Sequence, residues 1–316
     1  MSQPRKHHIL PQAYQWQFST NQKHIWTWDK ERDTFFGSNP LNISVQRDFN
    51  TALTHDFKED FSTIEGFFSN FETSYPHDIK SLRNVITNRQ ALDHVIQFML
   101  LQAARSPMAR TMMSRFIEML APMDEEQLKQ QGVDPIGIEL IKRARSGDID
   151  AKQKIGLQSS GHFLQGVTKI IERLFFRVVH LENELEFCSG DNPVAYFGIK
   201  FVSGKLTATF PLSGNRVLSA FPLSNKLLLI GDSAPAPSEA FLTVKPAQTS
   251  NSVNLVKYIN RLLALSAERN VIASNEKILR HIRDNIPANS EKVAKLVAMQ
   301  SAVAKELLKL NRSYWL

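Results

Sequence analysis

Two adjacent histidines near the start of the chain are the side chains best suited to chemistry. The segment KHHILPQAY contains His7 and His8, followed by Pro11 and Tyr14. An imidazole titrates near neutral pH, so it can accept a proton or bind a metal ion. We therefore predict that His8 is a general base, that His7 binds metal and that Tyr14 contacts substrate. The alternative is a pair of ordinary polar residues at a frayed chain end.

Polar residues within apolar helical segments form a second group. Gln102 and Arg105 are three positions apart in IQFMLLQAARSP, so they share one face of a helix. Glu65 lies in the preceding helical segment and is the expected partner, because buried polar groups require hydrogen bonds. These residues form either a clamp between helices or a pocket for a phosphate or a base.

Two turn-forming segments carry the remaining candidates. SGDNP places Asp191 and Asn192 at the end of a predicted strand, where their oxygens suit Mg²⁺ or Mn²⁺. A tight turn without a site is the alternative. Arg47 precedes Asp48, and it either holds a substrate phosphate or pairs with that neighbour.

The elements that must position these residues change along the chain. Hydrophobic spacing predicts a loop with a β-hairpin (HIWTWD and TFFG), then helices, then strands separated by turns, then C-terminal helices. The predicted strands are RVVHL, ELEFCS, VAYFGIKF, LTATF, RVLSAF, KLLLIG and AFLTV. This order indicates an α+β fold with a helical layer packed on a mostly antiparallel sheet. We predict one compact domain, 1–316, whose successive parts are 1–56, 57–180, 181–246 and 247–316.

Composition sets limits on location and partners. The chain has 316 residues, is 42% hydrophobic and carries a net charge of +7, and a basic surplus attracts phosphates. Its single cysteine, Cys188, lies in an apolar run, so we expect a buried thiol and a reducing compartment. No signal-like or membrane-spanning segment is evident, which favours a cytoplasmic protein without membrane contact.

Several common motifs are absent from the sequence. It contains no GxGxxG or GxxxxGK[ST] segment, so no nucleotide cofactor is predicted. It also lacks CxxC, HExxH and GxSxG, which argues against cysteine-rich zinc sites, zinc proteases of that class and α/β-hydrolases.

Two family resemblances follow from these motifs. The HHILP opening resembles the His-Asn-His nucleases, in which the first position binds a divalent metal and the second histidine activates water. Asn42 and His55 are the candidates for the remaining positions of that pattern.

A longer match resembles the uncharacterised prokaryotic domain-of-unknown-function family 4238. The matching segments are HHILPQAYQWQF, HIWTWDK, RDF, IEG, QAARSP, SGDNP, PLS and NRLLALSAER, in this order along nearly the whole chain. Gly190 stands where that pattern has serine, and Gln15 and Trp16 replace its leucine-basic pair. The resemblance implies a fold and a site rather than a reaction.

These observations lead to one functional hypothesis and two alternatives. We expect a metal-dependent phosphodiesterase or nuclease that uses Mg²⁺ or Mn²⁺ bound by His7 and Asp191. The residues predicted for catalysis are His7, His8, Glu65, Gln102, Arg105 and Asp191. Those predicted to bind substrate are Tyr14, Arg47 and Asn192.

The alternatives involve no turnover. A nucleic-acid-binding protein would use basic residues of the last helix, namely Lys292, Lys295, Lys305, Lys309 and Arg312. A protein-interaction subunit would dock a partner, or a second copy of the chain, through the amphipathic face of that same helix.

Overall fold

The computed structural model describes most of the chain. The described residues are 6–19, 24–53, 58–60, 63–84, 88–120, 122–148, 151, 154–155, 157, 160–182, 184–203, 205–209, 214–234, 241–244, 249–286 and 292–312.

Short strands and one short helix form the N-terminal part. They are β1 (Lys6–His8), α1 (Gln12–Gln15), β2 (Ile25–Asp29), β3 (Thr34–Ser38), β4 (Val45–Arg47), β5 (Ala52–Leu53) and β6 (Glu59–Asp60). β2 and β3 pair antiparallel, which confirms the predicted hairpin. β1 pairs antiparallel with β4, so the two histidines belong to a ribbon rather than to a frayed end.

The helical part begins after β6. It comprises α2 (Thr63–Arg83), α3 (Arg89–Arg105), α4 (Pro107–Leu120), α5 (Glu125–Gln130), α6 (Pro135–Arg145) and α7 (Ser160–Ile171). The Asn88 side chain caps α3 by accepting a hydrogen bond from the Ala91 amide at 3.2 Å. α3 ends because Ser106, which precedes a proline, has an extended backbone. Pro107 then starts α4, a position where its missing N–H costs little.

A six-stranded sheet follows, and it confirms the α+β prediction. Its strands are β7 (Phe175–Leu181), β9 (Ala195–Val202), β10 (Lys205–Thr209), β11 (Arg216–Pro222), β12 (Leu227–Asp232) and β13 (Phe241–Val244). The order is β10-β9-β11-β12-β7-β13, with antiparallel pairs except for β13 against β7.

The segment ELEFCS was predicted to be a strand, and this was wrong except at its end. Only β8 (Ser189–Gly190) forms, and it pairs with β14 (Asn270–Ala273) in a second sheet, ordered β3-β2-β14-β8. The amides before β8 bond elsewhere: Phe187 donates to the Asn225 carbonyl, and Cys188 donates to the Asn260 side chain. Cys188 itself is fully buried, as expected.

Helices cover both faces of the six-stranded sheet. α8 (Thr249–Ser266) and α10 (Lys292–Arg312) pack on one face, and α2, α3 and α7 contribute to the core on the other. β12 reads LLLI because its successive side chains enter opposite cores and both are apolar. A smaller apolar cluster joins α5 and α6. The assignment of one domain to residues 1–316 stays a prediction.

Two further features concern the C-terminal part. α9 (Glu276–Asp284), which the hydrophobic spacing did not indicate, is capped by the Asn275 side chain. The last helix packs against its own sheet, since Val303 and Ala304 are fully buried and Ser301 accepts a hydrogen bond from the Ala208 amide. Docking of a partner on that helix therefore stays a prediction that must use other residues.

None of the described helices is both long and apolar enough to cross a membrane.

Candidate functional site

His7 is held inside the protein by the loop that follows β4. Its side chain is only 1% exposed, and its Nδ1 accepts a hydrogen bond from the Asn50 amide at 2.8 Å. A backbone amide can only donate, so Nδ1 carries no proton and the neutral ring is protonated at Nε2. That Nε2 is buried and has no hydrogen-bond partner among the described residues. His7 therefore presents a donor to its surroundings.

His8 points to the other side of β1 and is half-buried. Its Nε2 lies 2.9 Å from the side-chain nitrogen of Gln12. Burial lowers the pKa of His8, the Ile43 carbonyl opposes this, and the charge of Arg105 lowers it further. The result is an imidazole that is neutral at neutral pH, the state that can accept a proton.

Asn50 joins three residues that are far apart in sequence. Its backbone amide donates a hydrogen bond to His7. Its side chain donates a hydrogen bond to Glu65 and accepts one from Arg110 at 2.6 Å. It is fully buried. The sequence prediction did not include Asn50 or Arg110; their only signals were a polar residue directly after RDF and an arginine within MARTMM.

Arg105 lies at the end of α3 and is 2% exposed. It donates to Glu72 at 2.8 Å and to the His8 carbonyl, and its guanidinium lies 4.5 Å from the centre of the Phe68 ring. Glu65 was predicted as its partner, but the partner is Glu72. The two glutamates are seven positions apart on the same face of α2, and Glu65 is the one that reaches Asn50.

Arg110 lies in the first turn of α4 and makes no ion pair with a described carboxylate. It donates to the Phe49 carbonyl and to Asn50, and it stacks 3.3 Å above the Phe49 ring. Burial lowers its pKa to about 9, with a further contribution from the charge of Arg105. The charge of Glu65 opposes this shift, but among the described residues Glu65 reaches Arg110 only through Asn50 and not by direct contact.

These contacts define one group, to which we add the buried Gln102 because it lies one turn before Arg105 on α3. We call it the histidine–arginine cluster: His7, His8, Asn50, Glu65, Glu72, Gln102, Arg105 and Arg110. Gln102, one helical turn before Arg105, is 1% exposed. Within the described chain, five buried atoms of the cluster lack partners: His7 Nε2, His8 Nδ1, Gln102 Oε1, Arg105 Nε and Arg110 Nε. His7 Nε2 and the two arginine Nε atoms are N–H donors, and unpartnered donors of this kind can bind an anion.

Asp191 has a different role from the one predicted. Its carboxylate accepts the amides of Glu268 at 2.7 Å, Arg269 at 2.8 Å and Asn270 at 2.9 Å. Burial raises the pKa of Asp191, and these three hydrogen bonds oppose the rise. The side chain thus holds the turn between α8 and β14, and none of its hydrogen bonds reaches the cluster.

Asn192 connects two helices. Its side chain accepts from the Met108 amide at 2.9 Å and donates to the Ser266 carbonyl at 2.8 Å. It therefore ties the start of α4 to the end of α8, which is a structural function rather than the predicted contact with substrate.

The predicted metal pair of His7 and Asp191 has no support in this geometry. Asp191 spends both oxygens on backbone amides, and His7 carries its proton on the nitrogen that would have to bind the cation. Across the described residues, no three or more histidine, cysteine, aspartate or glutamate side chains gather as a metal would need.

Tyr14 was predicted to contact substrate, but it is fully buried. Its hydroxyl lies 2.6 Å from Ser189 Oγ and donates to the Pro222 carbonyl at 2.8 Å. The ring stacks on Phe221 with centroids 5.4 Å apart. Tyr14 therefore locks α1 onto both sheets.

Removing the Tyr14 hydroxyl is expected to reduce stability and leave chemistry intact. Tyr14→Phe should lower the free energy of unfolding by about 1–2 kcal/mol, because the buried Pro222 carbonyl loses its donor and the Ser189 hydroxyl loses its acceptor. Urea denaturation measures this change. Tyr258→Phe is the control, since the Tyr258 hydroxyl has no hydrogen bond from any described residue. An equal loss in both variants would contradict the role assigned to Tyr14.

The other two loop candidates also lie apart from the cluster. Arg47 is 69% exposed and forms an ion pair with Asp48 at 3.4 Å. Pairing with that neighbour was the alternative to binding a substrate phosphate. Asn42 ends a short 3₁₀ helix and lines a separate cavity. His55 lies outside the described residues, so the match to the His-Asn-His pattern beyond its opening stays a prediction.

Comparison with known proteins identifies one family. The family described as protein of unknown function (DUF4238) matches residues 6–277, which include every cluster residue. No curated protein and no solved structure matches the chain. The match confirms the resemblance carried by the sequence motifs, and it assigns no reaction.

Proposed function

The chain belongs to the DUF4238 family, and from that premise we propose that it is a phosphodiesterase that cleaves nucleic acid at the histidine–arginine cluster. One observation carries the proposal: the cluster holds buried guanidinium N–H donors for which the described residues supply no partner, next to a neutral, half-buried imidazole. Such donors stabilise a phosphate anion, and such an imidazole can activate water.

The reaction assigns a part to each group. Water attacks phosphorus while His8 takes its proton, and the bond from phosphorus to the leaving oxygen breaks. The leaving oxygen takes a proton from solvent water, and the His8 imidazolium returns the proton it accepted to solvent. Arg105 and Arg110 neutralise the negative charge that grows on the phosphate oxygens, while His7, on the other side of β1 from His8, holds the Asn50 amide through its Nδ1. Glu72 and Glu65 lie close enough to raise the pKa of His8, so they favour the imidazolium that forms during the reaction.

The overall charge supports an anionic substrate. The chain carries a net charge of +7, which increases the local concentration of a polyanion. Arg110 adds a buried positive charge that no described carboxylate neutralises by direct contact.

A cleavage assay tests the proposal. Purified protein is incubated with labelled single-stranded and duplex DNA and RNA, in separate reactions with Mg²⁺, with Mn²⁺ and with EDTA. Cleavage of at least one substrate is expected, and the three conditions show whether a divalent cation takes part. Binding without cleavage in every condition would instead support a non-catalytic nucleic-acid-binding protein, and the absence of both would refute the proposal.

The pH dependence follows from the lowered pKa of His8. Only the neutral ring accepts a proton, and the ring stays neutral to lower pH than an ordinary histidine, whose pKa is 6.5. We expect kcat/KM to fall on the acid side with an inflection below pH 6.5. A profile measured with the best substrate checks this, and an inflection at or above 6.5 would exclude His8 as the base.

A further inference from the structure

A separate cavity of about 640 Å³ lies beside the histidine–arginine cluster. The β2–β3 hairpin, β4, Pro107 and the turn at 268–270 form its walls. No cluster residue lines it, but two lining residues adjoin the cluster in sequence: Ile9 follows His8, and Pro107 is two residues after Arg105. The chain thus runs directly from the cluster into the wall of the cavity at these two places.

Carboxylates in the wall of the cavity are already engaged by the protein. Asp29 pairs with Arg269 at 2.9 Å and accepts the amides of Glu31 and Arg32. Burial raises the pKa of Asp29, but the hydrogen bonds from Arg269 and from these two amides together lower it by more. The net shift of the pKa is therefore downward. Glu268 accepts from the Thr111 hydroxyl at 3.2 Å. The wall is thus not a cation site.

Groups suited to a flat, polar ring remain available in the same wall. Phe36 has 38% of its surface exposed although it is a large aromatic residue. Ser44 is only 5% exposed, and its Oγ has no hydrogen-bond partner in the described part of the chain. Asn42 and Gln46 add side-chain amides, each of which both donates and accepts. A nucleobase needs this combination: a face to stack on, and donors and acceptors for its edge.

We infer that this cavity binds an unpaired base of the nucleic acid whose phosphate is held at the histidine–arginine cluster. The inference rests on the proposed function and adds the substrate class, which is single-stranded nucleic acid. The volume of the cavity falls within the range of about 300–1,000 Å³ found for ligand pockets. Bases in a duplex are paired and stacked, so their faces cannot reach Phe36 without being flipped out.

Binding measurements with a Phe36 variant test the inference. A fluorescein-labelled mixed-sequence oligonucleotide is titrated with protein in EDTA, once as a single strand and once as a duplex, and anisotropy is recorded. The wild type is expected to bind the single strand more tightly. Phe36→Ala should weaken single-strand binding at least about 5-fold and change duplex binding much less, because stacking on the ring is lost.

Two further variants complete the design. Phe175→Ala removes another exposed phenylalanine, 48% exposed and on the six-stranded sheet, and should leave both affinities unchanged. Phe36→Trp keeps an aromatic face and should retain single-strand binding. Equal effects of Phe36→Ala and Phe175→Ala, a loss in Phe36→Trp as large as in Phe36→Ala, or no preference of the wild type for the single strand would each overturn the inference.

The outcomes separate this inference from the proposed function. If the wild type cleaves nucleic acid but Phe36→Ala changes neither single-strand affinity nor KM, the cavity assignment fails and the cluster assignment stands. If the wild type does not cleave, yet single-strand binding depends on Phe36, the phosphodiesterase proposal fails and the cavity remains a base-binding site.

Discussion

Replacement of His8 by alanine is expected to reduce cleavage by about 100-fold to 10,000-fold, the usual contribution of a general base. The variant loses the partly exposed imidazole of the cluster, whose Nε2 meets the side-chain amide of Gln12. His7 cannot replace it, because His7 is only 1% exposed and its Nδ1 accepts a hydrogen bond from the backbone amide of Asn50. Initial rates with the best substrate from the cleavage assay measure the effect. KM should change much less than kcat, since the arginines that hold the phosphate remain.

Two matched variants separate chemistry from folding. His8→Gln keeps a polar side chain beside Gln12 but cannot take up a proton, so it should be as inactive as His8→Ala. His94→Ala removes a partly exposed histidine that contacts Asp78 at 3.3 Å on the α2–α3 surface, and it should keep full activity. Substantial cleavage by a folded His8→Ala protein, with circular dichroism like the wild type, would eliminate His8 as the base.

The second large effect concerns stability rather than catalysis. Asp191→Ala should lower the free energy of unfolding by about 3–5 kcal/mol, because three backbone amides lose a buried carboxylate at once. The affected turn joins α8 to β14, and its loosening also weakens the position of β8 between them. Urea denaturation followed by far-UV circular dichroism gives the change, with the slope of the transition as a check on two-state behaviour.

The control for this change is a carboxylate at the surface. Asp93 is 47% exposed and pairs with Arg89 on α3. Asp93→Ala should lower the free energy of unfolding by less than about 0.5 kcal/mol. Asp191→Asn keeps one acceptor oxygen but brings an amide nitrogen against backbone donors. Its loss of unfolding free energy should therefore lie between those of Asp191→Ala and Asp93→Ala. If Asp191→Ala unfolds at the same urea concentration as the wild type, the anchoring role is wrong.

Much of the architecture was predictable because it depends on local periodicity. The helical segments before and after the sheet, and every predicted strand except ELEFCS, have apolar spacings of three to four or of two residues that act over one element. ELEFCS failed because its amides bond to the Asn225 carbonyl and the Asn260 side chain, and those partners are distant in sequence.

The candidate site was predictable only as a list of residue types. His7, His8, Glu65, Gln102 and Arg105 stand out because polar groups at apolar or ordered positions must have partners. Their partners were not predictable from spacing, since Glu72, Asn50 and Arg110 resemble ordinary surface residues in the sequence. Asp191 was predicted to bind metal because of its residue type. Its carboxylate instead accepts hydrogen bonds from three amides of a turn nearly eighty positions later in the sequence.

Residue order alone established the α+β class, the family and the paired histidines, since each depends on chemistry or periodicity within a short segment. Only the tertiary structure decided which of the two histidines is buried and accepts a backbone hydrogen bond, because that depends on which atom the Asn50 amide meets. It also decided that the two arginines, rather than Asp191, complete the cluster, because the break at Pro107 turns α4 toward Asn50.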